Sequence, residues 1–313
     1  MRTSTRPGAV VLLTMLAATM IAACSAAPGA TPSPTAVVTP VPASAAPTPD
    51  ACARDSLATT TAGKLTIGAD NPAFPPYYDP PAEGETATAP WELGDPTNKR
   101  GFEGAVAWAI AEELGFADAD VTWVPVKFDL SFAPGPKDFD IYLSQVSFVP
   151  AREEGADLSD GYYSLNQSLV ATKATPIASA KSLAELKSFK FGAQASTTSL
   201  TFIQEQIQPT QEPFVYDTND AAIEALKNGQ IDGLVVDLPT AFFVTAVQYT
   251  DGVIVGQFPP ATGEQEHFSV VLEKDSPLTE CVNQAIAALK EGGELDAITQ
   301  EWLADKVNAP VLE

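Results

Sequence analysis

From Lys64 to Trp302 the chain alternates short β-branched or aromatic runs with stretches whose apolar residues recur at helical spacing, and no other feature constrains its fold as strongly. KLTIGAD, VTWVPV and DIYLSQVS read as strands, and between the first two GFEGAVAWAIAEELG sets Phe102, Val106, Ile110 and Leu114 on one helical stripe closed by Gly115. SLVATK, FKFGAQ, FVYD and IDGLVVD repeat the strand pattern, interleaved with helical SLAELKS, STTSLTFIQEQI and NDAAIEALKNG. HFSVVLEK reads as one more strand, followed by two helices, one aligning Val282, Ile286 and Leu289 and the other Leu295, Ile298 and Trp302. This alternation predicts an open-sheet α/β architecture. The 313 residues suffice for two modest domains or one large one, with polar segments near 164–168 and 257–266 as the crossings between them.

The first residues follow a different logic. Arg2 and Arg6 precede the apolar run from Ala9 to Ala23, which ends in Ile21-Ala22-Ala23-Cys24. That is the pattern of an export signal, residues 1–23, whose first retained residue is a lipid-bearing Cys24; the run is short for a permanent span. An uncleaved anchor is the other reading. Residues 24–59 are rich in Pro, Ala and Thr and form an extended tether, so the folded part is expected on the extracellular face of the cell membrane. A net charge of -23 disfavours nucleic acid and anionic headgroups as partners. With Cys24 lipidated, Cys52 and Cys281 remain as an even pair in an oxidising compartment, and a disulfide between them is expected. The single histidine and the lack of a CxxC argue against a transition-metal site, and no cofactor is expected.

Ligands of open α/β sheets sit beyond the carboxyl ends of strands. Four segments put polar side chains there: Asp70 after KLTIG, Ser144, Gln145 and Ser147 with Arg152 after FDIYL, Ser196, Thr197 and Thr198 after FKFGAQ, and Asp237 after IDGLVV. Each admits two readings. Arg152 offers a planar fork for a carboxylate or makes a surface pair with Glu153 or Glu154. Ser196 and Thr197 hold the same anion or simply cap a helix. Asp237 takes an ammonium or caps the helix after it, and Asp70 contacts ligand or shapes the turn at Asn71-Pro72. Together, an arginine for a carboxylate and an aspartate for an ammonium match the two ends of a free amino acid. Phe74, Tyr77, Trp91 and Phe128 lie in or beside loops, where their rings either stack on a ligand or pack locally. The loop-like stretch from Tyr77 to Lys99 is long enough to be a flap over the cleft mouth.

In order along residues 63–304, KLTIGADNPAFPPYYD, GFEGAVAWAIAEELGF, FDIYLSQVSFVPAREEGADLSDGYY, SLAELKSFKFGAQASTT, AAIEALKNGQIDGLVVDLPTA and AIAALKEGGELDAITQEWL resemble the family 3 extracellular solute-binding proteins, receptors of polar amino acid ABC importers. The resemblance implies a type II periplasmic-binding-protein-like fold, with two α/β lobes joined by two hinge segments: residues 60–167 plus 263–313, and 168–262. It implies a monomeric receptor without enzyme activity that binds an amino acid or similar small zwitterion in the interlobe cleft and passes it to a membrane permease. Arg152 matches the family arginine on the α-carboxylate, Asp237 the carboxylate on the α-ammonium, Ser147 and Thr197 further contacts, Phe128 the stacking aromatic, and Asp70 an acidic contact of members with cationic ligands. This chain departs from the family pattern at Gln145, where serine is common, at Ser196, where glycine is common, and at Ala105, where an aspartate is customary. A sensor or scaffold uncoupled from transport, or a cyclohexadienyl or arogenate dehydratase-like enzyme, are the alternatives.

Overall fold

The computed structural model describes residues 51–260, 265–303 and 309–312; the expected signal segment, Cys24 and the tether up to residue 50 lie outside them. The chain first lays down β1 (Leu65–Ala69), α1 (Phe102–Glu113), β2 (Val121–Pro125), α2 (Phe128–Ser131), β3 (Ile141–Tyr142) and β4 (Ala156–Leu158). A short strand, β5 (Tyr163–Ser164), leads to β6 (Gln167–Thr172), α3 (Leu183–Leu186), β7 (Phe191–Gln194), α4 (Thr198–Phe202), β8 (Phe214–Tyr216), α5 (Asn219–Lys227), β9 (Gly233–Asp237), α6 (Leu238–Phe243) and β10 (Gly252–Gln257). The chain returns through β11 (His267–Phe268) to β12 (Val271–Glu273) and closes with α7 (Thr279–Glu291) and α8 (Glu294–Leu303).

The strands form two five-stranded sheets, in the orders β2-β1-β3-β12-β4 and β10-β6-β9-β7-β8. β1 runs parallel to β2 and β3, and β12 runs antiparallel to β3 and β4. In the second sheet β7, β8 and β9 are parallel, and β6 and β10 are antiparallel additions on the other side of β9. β5 and β11 form an antiparallel two-stranded ribbon, with Phe268 also bridged to Ser147, so the outgoing and returning crossings run side by side. The result is a two-lobed α/β architecture. HFSVVLEK is therefore two strands in different sheets, because its first two residues belong to the crossing and only Val271–Glu273 joins the first sheet.

Every residue of β1 is buried, as expected for a strand covered on both faces. Its covering helix α1 starts at Gly101, whose φ of +89° is open to glycine at little cost. A Cβ there would lie 2.5 Å from the carbonyl oxygen of Tyr77, so the start of α1 is pressed directly onto that backbone. The stretch from Tyr77 to Lys99 is anchored at both ends, whereas most of residues 83–90 between them are exposed. Tyr77 and Tyr78 are fully buried, and both Tyr78 and Trp91 meet Trp123 edge-on. Cys52 is disulfide-bonded to Cys281 of α7, and Arg54 pairs with Asp120 at 2.6 Å. The last residues of the expected tether are thus pinned to the first lobe.

Candidate functional site

The carboxyl ends of β1, β3, β7 and β9 meet at one cavity. Asp70, Pro72, Phe74, Phe128, Ser144, Gln145 and Arg152 line it from the first lobe, and Gln194, Thr197, Thr198, Ser199, Thr218, Asn219, Val236, Asp237 and Thr240 line it from the second. Of the residues singled out in the sequence, Tyr77 and Trp91 are not in this lining, and neither are Ser147 and Ser196. The two serines instead accept hydrogen bonds through their main-chain carbonyls from the Arg152 guanidinium: Nη1 donates to Ser147, and Nη2 donates to Ser196 at 2.8 Å.

Arg152 is a buried cation rather than a surface ion pair, only 8% exposed. Its guanidinium carbon lies 4.5 Å from the ring centroid of Phe132 and 5.4 Å from that of Phe128. Burial lowers its pKa to about 10, opposed by the negative charges of Glu266 and Asp237, so it stays protonated at neutral pH. Two of its five N–H donors serve the carbonyls of Ser147 and Ser196. The others remain for an anion.

Asp237 stands at the N-cap position of α6 but makes no side-chain capping bond. Its Oδ1 instead accepts from Gln167 Nε2 at 2.7 Å, and the same amide nitrogen reaches Glu266 at 3.1 Å. Burial and the neighbouring charge of Glu266 push the Asp237 carboxyl well above its ordinary value, against the pull of Gln167 and Arg152. Asp70 forms the opposite wall. It accepts from the Asn71 N–H at 2.8 Å, and desolvation raises it to about 6. Thr197 spends its hydroxyl on capping, donating to Gln194 O at 2.7 Å and accepting from Leu200 N at 3.2 Å. Phe74 and Phe128 are buried aromatic faces of the cavity.

A residue that sequence reasoning missed lies just behind this wall. Glu103, in the first turn of α1, is fully buried and accepts from the Gln145 backbone N–H at 2.6 Å, from Gln145 Nε2 and from the Tyr162 hydroxyl. Burial pushes its carboxyl up to about 7 despite these three donors. Its partners are 42 and 59 residues away, so no local pattern announces it. Ser144, named with the segment after FDIYL, accepts through its hydroxyl from the Asp70 N–H at 2.9 Å, whereas Thr240, 3.2 Å from the Tyr77 hydroxyl, was not singled out. Among the described residues no group of three or more His, Cys, Asp and Glu side chains is placed to hold a metal ion. No described helix is long and apolar enough to cross a membrane.

Known proteins share this framework. The arginine-binding extracellular protein ArtP of Bacillus subtilis is 26% identical over 221 residues, covering 68% of this chain and 81% of that protein. The L-cystine-binding protein TcyJ of Escherichia coli is 26% identical over 216 residues, covering 68% and 78%. The structure of an ancestral arginine-binding protein bound to arginine superposes with a TM-score of 0.61 at 27% identity, covering 76% of this chain and 97% of that one. The sequence profile of one family matches residues 84–305, which include most of the cavity wall, and with the two-sheet architecture this places the chain in the bacterial extracellular solute-binding proteins, family 3.

Proposed function

We propose that the protein is a receptor that captures an amino acid, preferentially one with a cationic side chain, between its lobes and delivers it to the membrane permease of an ABC importer. The observation that carries this reading is the set of charges on one cavity: Arg152 and Asp70 on one side, Asp237 on the other. Arg152 would take the α-carboxylate and Asp237 the α-ammonium, each buried charge finding an opposite partner, because an unpaired one would cost several kcal/mol. Asp70, between Phe74 and Phe128, then faces the side chain. With Glu266 and Glu103 close behind, acidic groups outnumber the single guanidinium, and a ligand of net positive charge would favour their ionised forms. Relatives named as binding arginine or cystine support an amino-acid ligand, and the arginine-binding one supports a cationic side chain. Contact with both lobes is what lets a ligand favour the closed state.

The finer parts of the reading rest on sequence. Cys24 would carry lipid, residues 24 to about 50 would tether the receptor to the outer membrane face, and the lobes would divide as 60–167 plus 263–313 and 168–262. Thermal melts of the purified chain with each of the twenty standard L-amino acids test the central claim, since a ligand that binds only the folded form raises its apparent stability. A shift of several degrees with arginine or lysine is expected. Flat melts across the whole set would refute the reading.

A further inference from the structure

Gln145 occupies the cavity wall with a backbone φ of +53°, a conformation non-glycine residues adopt rarely, and it is held there by one carboxylate. Glu103 receives both its main-chain N–H, at 2.6 Å, and its side-chain Nε2. We propose that Glu103 is a positioning residue that fixes the polarity of Gln145, so that this wall presents an amide oxygen to the ligand's ammonium beside Asp237. The proposal rests on the cavity being an amino-acid site and adds a residue that does not itself line it.

With Glu103 ionised, the geometry leaves the Gln145 amide one orientation. With Nε2 donating to Glu103, Oε1 is the free end, and no described residue donates to it. Turning the amide over would set its oxygen against a carboxylate inside the protein, where an unfavourable polar contact is poorly screened. Glu103 is itself immobile. It is fully buried, stands in the first turn of a helix whose start at Gly101 is pressed against Tyr77, and takes a third hydrogen bond from Tyr162. Gln145 and Asp237 line the same cavity, so the Gln145 oxygen and the Asp237 carboxylate can flank the same cation.

Replacing Glu103 with glutamine tests this, because the new amide can donate to Gln145 Oε1 and turn the Gln145 amide so that its NH2 faces the cavity. Titration calorimetry would compare the wild-type chain, Glu103→Gln, Gln145→Met and the double variant, using the twenty standard L-amino acids as probes. The tightest wild-type probe is expected to weaken at least tenfold in each single variant, and in the double variant to be no weaker than in Gln145→Met, because Glu103 acts through Gln145. A Glu103→Gln loss that recurs in full on the Gln145→Met background would mark a merely structural role and overturn the proposal. If Glu103→Gln does not fold, Gln145→Met decides alone: a tenfold loss with a wild-type-like melt supports the proposal, and unchanged affinity overturns it. A wild-type chain that binds none of the twenty takes down the amino-acid reading and this inference together, whereas normal wild-type binding with an independent Glu103 effect removes only the inference.

Discussion

The Nη2 of Arg152 donates a 2.8 Å hydrogen bond to the carbonyl oxygen of Ser196, joining a guanidinium of the first lobe to the loop that opens α4 in the second. The same side chain expected to grip the ligand therefore also bridges the lobes. Affinity and closure share a residue.

Arg152→Lys keeps the charge but loses the fork that serves two carbonyls and a carboxylate at once. Hydrogen bonds to a charged group contribute about 1.5–3 kcal/mol, so amino-acid affinity is expected to fall about tenfold to a hundredfold. Because Arg152 also packs on Phe128 and Phe132, the unliganded melting temperature should drop as well. Calorimetry and melts of the two proteins check both effects, and an unchanged affinity would remove Arg152 from the site.

Ser196 has a φ of +62°, a conformation a glycine takes without strain. Its contact with Arg152 is through the main chain, so Ser196→Gly should preserve affinity while changing stability from neutral to about 1 kcal/mol in its favour. Ser196→Pro, with φ locked near -65°, should lose both folding stability and binding. Thermal melts and calorimetry on the two variants measure this contrast.

Asp70 near 6, Glu103 near 7 and the raised Asp237 all hold protons in the native state at pH values where an unfolded chain has released them. Stability therefore falls as pH rises through these groups, and unliganded melts should climb on going from pH 8 to about 5. Asp95 and Asp157, whose values are lowered, lose their contribution only in stronger acid, outside that window. Binding of a cationic ligand should show the opposite slope, weakening as Asp70 is protonated below about 6. Asp70→Asn should flatten that acid limb, and affinities measured across this range give the test.

The Cys52–Cys281 bond closes a loop spanning 229 residues of sequence, and neither cysteine lines the cavity. Replacing both with serine should cost about 2–5 kcal/mol of stability. Affinity at a temperature where the variant is folded should match the wild type. A weakened ligand under those conditions would mean that the bond also shapes the site.

Much of this architecture is written in local pattern. The stripe Val282, Ile286 and Leu289 is buried in α7, and the run ending at Asp237 is β9. Where the sequence misled, a non-local partner decided. DIYLSQVS forms a strand only at Ile141–Tyr142, with an isolated bridge from Ser147 to Phe268, because Gln145 turns into the left-handed region to meet Glu103. In α8 Leu303 takes the buried place that the periodic stripe assigned to Trp302, which is only partly covered. The proline-rich stretch looked like a flap because its composition is turn-like, yet Tyr77, Tyr78 and Trp91 anchor it in the core. At the site, residue type suggested Arg152 and Asp237, but not that Ser147 and Ser196 would contribute their carbonyls. Hydroxyl side chains attract attention in a sequence, whereas main-chain oxygens are invisible there.

The paired crossings β5 and β11 limit how the molecule can move. Two strands hydrogen-bonded side by side bend readily across their width and resist shearing past one another. Lobe closure of the kind proposed above would then follow one swinging arc, like a door on a broad hinge plate. Arg152 and Asp237 would then return to the same mutual alignment at each swing, and recognition would depend on how far the door shuts rather than on finding the correct register.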